Sequence, residues 1–329
     1  MNLEDRGTQD DIRIANAATY WPVAPTDVVL AAPLAARLLF GATPLGQALQ
    51  VAAFGAYLGS ALQDWYARLD VRKIDFYLEF GADVHTLTPM PSDVREEEVR
   101  VLIERLNDEF TAERVPRPEL AIEVDRHLTA YIAGITGQRV QTSTEVRDFA
   151  LARLLFPFAL GACDFLSGDV MLFRDVGIFE PHVIAHEFSH RKGYWKELEA
   201  QALAYLALTS SGEAVLVQSA LCERLHRDIR ALVGDDIPAF RDRVERSPLR
   251  GELRAHFLEL ERGPSPDPVP RQVELMMRRL YDERMRLTGQ NGLSDYDVGF
   301  TNFLYTFEVS AVARQEPPAG GALRGRPRA

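Results

Sequence analysis

The run HVIAHEFSHRKGYWKELEAQALAYLA, residues 182–207, constrains this chain more than any other feature of its sequence. At its centre, His186-Glu187-Phe188-Ser189-His190 is an HExxH. Residues four apart in a helix lie a turn apart on one face. His186 and His190 can therefore offer ring nitrogens to a single zinc ion at about 2.0–2.1 Å. Glu187 follows the first of them and can act as general base, taking a proton from the water that such an ion activates. Val183, Ile184 and Phe188 give the same helix an apolar side to bury. Glu180-Pro181 opens it, with proline suited to a first turn.

A catalytic zinc needs a third protein ligand and an open fourth position. Gly193, three residues after His190, lets the chain turn sharply out of the helix. Glu197 and Glu199 then open a second helix, ELEAQALAYLA. Glu197 is the preferred third ligand and Glu199 the alternative. Gln201, one turn beyond Glu197, can hydrogen-bond a ligand from behind. His182 shares the stripe of His186 and His190, but three ligands spread over two turns do not converge on one ion. It is read as a polar group at the helix start. His127, His226 and His256 stand apart from the motif.

The rest of the chain bounds the function. A formal net charge of −11 over 329 residues argues against nucleic acid as a partner. Cys163 and Cys222 form no CxxC, so neither a cysteine metal site nor a disulfide framework is expected. Residues 1–20 are a polar segment without the pattern of a signal peptide. Residues 21–66 read as an apolar helical hairpin, about 27–41 and 45–63, in which Gly55 and Gly59 form a GxxxG. That hairpin is either membrane-associated or buried in a soluble body, so localisation stays open between membrane and cytoplasm. Residues 64–90 look like a connector, and a helix starts at Ser92 with Ser92 and Asp93 as caps. PRPELAIEVD (116–125) looks extended, 144–160 reads as a buried helix and 168–174 as a strand. Helices follow at 197–209, 213–233, 271–287 and near 297–313, with a loop at 263–270. Residues 67–314 are expected to form the catalytic domain, and 315–329, rich in Pro, Gly and Arg, a disordered tail.

These residues resemble a group of bacterial zincin-like proteins still classed as a domain of unknown function. The group's signature is similar to HExxHxxGxxxExEAxxLAY, matched by His186, Glu187, His190, Gly193, Glu197, Glu199, Ala200, Leu203, Ala204 and Tyr205. LYDERMRLTGQNGLSDY (280–296) looks like its closing segment: Gly289, Gly292 and Tyr296 fit, and Asp295 replaces a serine. WPVAPTDVVL looks like its PFSxGD stretch before a membrane helix. The resemblance implies a membrane-linked metallopeptidase.

The expected fold is thus mainly α (α+β), a zincin-like helical core with a short strand or small sheet beside the HExxH helix. The expected activity is hydrolysis of a peptide or protein substrate with one zinc ion per chain. Tyr296 is a candidate donor to the oxyanion of the tetrahedral intermediate, with Tyr194 and Tyr205 behind it. The alternative is a zinc-binding protein of the same fold, a sensor or scaffold without catalysis.

Overall fold

The computed structural model describes residues 10–16, 43–148, 159–165, 167–261 and 271–310. In chain order the elements are β1 (Asp10–Arg13), α1 (Pro44–Ala67), α2 (Phe76–Phe80), α3 (Ser92–Asp108), α4 (Arg117–Thr136), β2 (Gln138–Gln141), β3 (Arg147–Asp148), β4 (Gly161–Cys163), β5 (Val170–Leu172), α5 (Glu180–Arg191), α6 (Glu197–Thr209), α7 (Ala214–Val233), α8 (Ile237–Arg246), α9 (Gly251–Leu260), α10 (Arg271–Leu287) and α11 (Val298–Val309). Short 3-10 turns at Arg68–Asp70, Gly177–Phe179 and Leu293–Tyr296 join some of them. The architecture is mainly helical with a few short strands, as expected.

The HExxH helix α5 sits at the centre, packed against α4, α6, α7 and the strands β4 and β5. Every residue from Pro181 to Arg191 is buried. A helix buried all round must satisfy its polar side chains internally, and two charged residues at its end do so for the neighbouring loops. Arg191 donates to the carbonyls of Gly168 (2.6 Å), Ser143 (2.5 Å) and Glu145 (2.9 Å). Lys192 donates to the Val140 carbonyl at 2.9 Å and pairs with Asp125 at 2.7 Å. The core continues through Leu203, Leu221, Leu225, Phe300 and Phe303, where α6, α7 and α11 meet.

Two small sheets flank this bundle. β1 runs parallel to β2, pairing Asp10 with Gln138 and Arg13 with Gln141, so residues 10–16 of the polar N-terminal segment are part of the body. The other sheet has the order β3-β5-β4, with β4 antiparallel to β5 (Gly161↔Leu172, Cys163↔Val170). The strand expected over 168–174 is present as the central β5.

Several expectations need correction. Residues 117–125 are the first turns of α4, not an extended segment. Pro118 suits that first turn, and Leu120, Ala121, Val124 and Leu128 are buried at helical spacing. The expected helix 144–160 is not helical where it is described. Arg147–Asp148 pairs in parallel with β5, and 161–163 is β4. Arg147 is drawn there by the buried Asp169 at 3.1 Å. Residues 149–158 lie outside the described residues, as do 263–270 and the tail from 315. The connector 64–90 contains the end of α1 and the short α2. In α3 the N-cap is Pro91, and Ser92 makes no capping bond. Of the apolar hairpin, the first helix lies outside the described residues, and the second is α1. Among the described residues no helix is long and apolar enough to cross a membrane.

Candidate metal centre

After His190 the chain leaves α5 through Gly193, whose φ of +95° disfavours a side chain. Its carbonyl accepts from Lys73 Nζ at 2.8 Å. Tyr194 and Trp195 complete the turn, and α6 starts at Glu197, so the positive end of the α6 dipole lies under the Glu197 carboxylate. The turn thereby folds Glu197 back over the exposed edge of the two imidazoles.

Three ligand atoms meet there: His186 Nε2, His190 Nε2 and Glu197 Oε2, each 3.1 Å from the other two. Among the described residues this is the one group of histidine, cysteine or acidic side chains arranged to hold a metal ion. Three donor atoms so spaced would all lie within bonding reach of one divalent cation at about 2.1 Å, so the tripod fits such an ion. The His190 ring is already oriented for it. Its Nδ1 lies 2.7 Å from the Tyr194 carbonyl, an arrangement that places a proton on Nδ1 and a lone pair on Nε2. Trp195 stacks on the same ring at 5.8 Å and 7°.

Acceptor atoms this close repel each other unless a proton or a cation lies among them. Burial disfavours a charged His190, but Glu197 outweighs it and holds the imidazole up to about 9. Burial likewise opposes the Glu197 charge, yet the two histidines keep its carboxyl well below the usual range. A cation among these atoms would relieve the same repulsion that a proton on His190 relieves.

Glu187 is buried beside this group, and burial raises its carboxyl above the usual value, against the pull of His186 and His190. The Cys163 amide of β4 hydrogen-bonds it. Gly161 makes the close approach of β4 possible. A Cβ there would come within 2.8 Å of the Met171 carbonyl and 3.5 Å of Glu187 Oε1.

Of the expected site residues, the fold brings His186, Glu187, His190, Glu197 and Tyr296 together. The Tyr296 ring lies 6.0 Å from that of His186, and its hydroxyl hydrogen-bonds Glu197. Glu199 points elsewhere, to Lys196 at 2.9 Å, because two residues along a helix is a turn of about 200°. Gln201 does not support a ligand either. It donates to Glu223 at 2.6 Å. His182 is a core imidazole, pushed down to about 4 chiefly by burial, with its backbone amide on Ser219 Oγ. The Tyr205 hydroxyl accepts from Arg224 at 3.1 Å, and the Tyr194 ring packs on Phe76 and Lys73.

Sequence reasoning missed Tyr281, whose hydroxyl donates to Glu197 Oε1 at 2.7 Å, and Gln290, whose side-chain oxygen accepts from the Glu197 amide at 2.7 Å. Both lie in the stretch 280–296 that carries the weaker resemblance, but no spacing rule connects them with a residue 84 or 93 positions upstream. No known protein family, curated protein or solved structure matches the chain.

Proposed function

We propose that this chain is a zinc-dependent peptidase. The observation that carries the reading is the tripod of His186, His190 and Glu197, with the Glu187 carboxylate beside it on the same helix. Two neutral imidazoles and one carboxylate leave a divalent ion with net positive charge, the donor set of a catalytic rather than a thiolate-rich structural zinc. Such an ion supplies an activated water and polarises the scissile carbonyl.

The chain's own residues do the rest. Glu187 would act as the general base toward an attacking water and pass its proton to the leaving nitrogen. Its raised affinity for a proton suits both steps. The outer strand β4, next to Glu187, offers backbone groups to an extended peptide. The Tyr296 hydroxyl, beside the ligands, donates to the developing oxyanion. The zincin-like resemblance of residues 182–207 points the same way.

One observation favours the second reading, a metal held for structure alone. His186, Glu187, His190 and Glu197 are only 6–7% exposed. Metal analysis joined to cleavage of a peptide library separates the possibilities. Wild type is expected to carry about one zinc per chain and to cut peptides. Glu187→Gln should keep the zinc and lose cleavage, and His186→Ala should lose both. Bound zinc without cleavage in wild type leaves the scaffold reading standing, and no bound metal removes both.

Association with a membrane is part of the proposal. α1 carries no charged residue from Pro44 to Gln63 and exposes Leu45, Val51 and Leu62. Flotation with lipid vesicles tests it, and recovery only in the soluble fraction rejects it.

A further inference from the structure

Glu197 has two carboxylate oxygens with different surroundings. Oε2 faces both imidazoles, while Oε1 accepts the Tyr281 hydroxyl at 2.7 Å. A hydrogen bond to a charged oxygen is about twice as strong as one between neutral groups. It keeps the carboxylate from rotating to place both oxygens on one ion. The backbone of the same residue is fixed as well. The Glu197 amide is one of the first N–H groups of α6, which have no partner within the helix, and Gln290 accepts it at 2.7 Å.

Tyr281 and Gln290 belong to one downstream unit, α10 and the turn that follows it. Asp282, next to Tyr281, braces that unit internally. Its Oδ1 accepts the Leu293 amide at 2.8 Å and sits where a Cβ on Gly292 would come within 2.2 Å. Gly289 and Gly292 have φ of +79° and +90°, so the turn reverses tightly enough to bring Gln290 back over α6. α10 leaves Leu280 60% and Leu287 79% exposed but buries Met285.

We propose that Tyr281 is the positioning residue that makes Glu197 a one-oxygen ligand, with α10 and its turn acting as a clasp on the third ligand. This rests on the metal-centre reading above. Its consequence is coordinative. With Oε1 held by a phenol, Glu197 fills one place on the ion and leaves the remainder to solvent and substrate. Without that phenol, Oε1 loses the 2.7 Å hydrogen bond that opposes its swing onto the ion.

The test uses the full chain loaded with cobalt(II), whose d–d absorption is intense in four-coordinate sites and weak in higher-coordinate ones. Chelator competition gives the affinity of the same samples. Wild type should show the intense spectrum. Tyr281→Phe should lose intensity as Oε1 joins the ion. Tyr281→Leu repeats the test on a different side chain should Tyr281→Phe fail to fold. An unchanged spectrum on removal of the Tyr281 hydroxyl overturns the proposal, whatever happens to affinity. A wild-type chain that takes up no cobalt removes the metal centre and the clasp together. Wild-type binding with an unaltered Tyr281 variant removes the clasp alone.

Discussion

At the scale of single residues, the site divides its work among groups with very different surroundings. His190 is tied on three sides, by the Tyr194 carbonyl at 2.7 Å, by stacking with Trp195 and by Glu197. Its Nε2 therefore has one direction in which to point. Tyr296 is half-buried, with its hydroxyl among oxygens, those of Tyr281 and Glu197. Burial first, and then the negative charge of Glu197, raise its phenol well above the ordinary value, so it stays a neutral donor across the working pH range. Tyr296→Phe should cut turnover by about 10²–10³-fold, the range for loss of one oxyanion donor, with zinc content unchanged. Steady-state kinetics beside metal analysis decides it, and wild-type turnover in the variant takes Tyr296 out of the mechanism.

At the scale of elements, the turn between α5 and α6 determines whether Glu197 reaches the two histidines. Gly193 is its pivot. A Cβ there would meet Lys73 Nζ at 2.3 Å, and that lysine holds the Gly193 carbonyl. Gly193→Ala should cost about 1–3 kcal/mol from backbone strain and weaken metal binding, because the turn also places Glu197. Urea unfolding with and without added zinc measures both effects. Equal stability and equal zinc affinity would show that the turn tolerates a side chain.

Much of this level was legible in the sequence. The two helices of the motif, the glycine between them, the strand before them and α10 all follow from local pattern. The site was legible to the extent that its members lie close together in sequence, which covers His186, Glu187, His190 and Glu197. The sequence favours Glu197 over Glu199, and the geometry of the turn agrees with that choice, since Glu199 faces Lys196 instead. Proline misled in the other direction. Pro116 and Pro118 suggest an extended run, yet they begin α4, whose buried stripe of Leu120, Val124 and Leu128 decides the matter. Residues 144–148 carry apolar and charged side chains that suit a helix locally. Pairing with β5, a contact over 24 residues of chain, overrides that preference. Tyr281 and Gln290 reach the site only through the packing of α10, which local pattern does not encode.

At the scale of the whole molecule, buried ion pairs join helices distant in sequence, as Arg95–Asp228 (2.7 Å) and Arg224–Glu98 (2.6 Å) do between α3 and α7. Glu261, just after α9, shows how such pairs shape stability with pH. Burial works against its charge, but His226 at 2.9 Å, aided by Arg230, holds its carboxyl down to about 2. A glutamate in an unfolded chain titrates at about 4.3. Between those values the unfolded chain binds more protons than the folded one, so this contribution is complete above the unfolded value and is lost as the pH falls toward 2. Glu261→Gln should lower the thermal midpoint at pH 7 and flatten its decline below pH 4. Parallel curves for the two proteins would show that the pair contributes nothing.

Arg191 and Lys192 carry a consequence for how an ion would come and go. These two side chains, directly after the second histidine, fasten the end of α5 to the carbonyls of Val140, Ser143, Glu145 and Gly168. The end of α5 is thus held by the protein's own side chains, and the three candidate ligands would not depend on an ion for their placement. Unlike a zinc finger, which collapses when stripped, this scaffold would stand empty and refill, its occupancy governed by supply instead of by refolding.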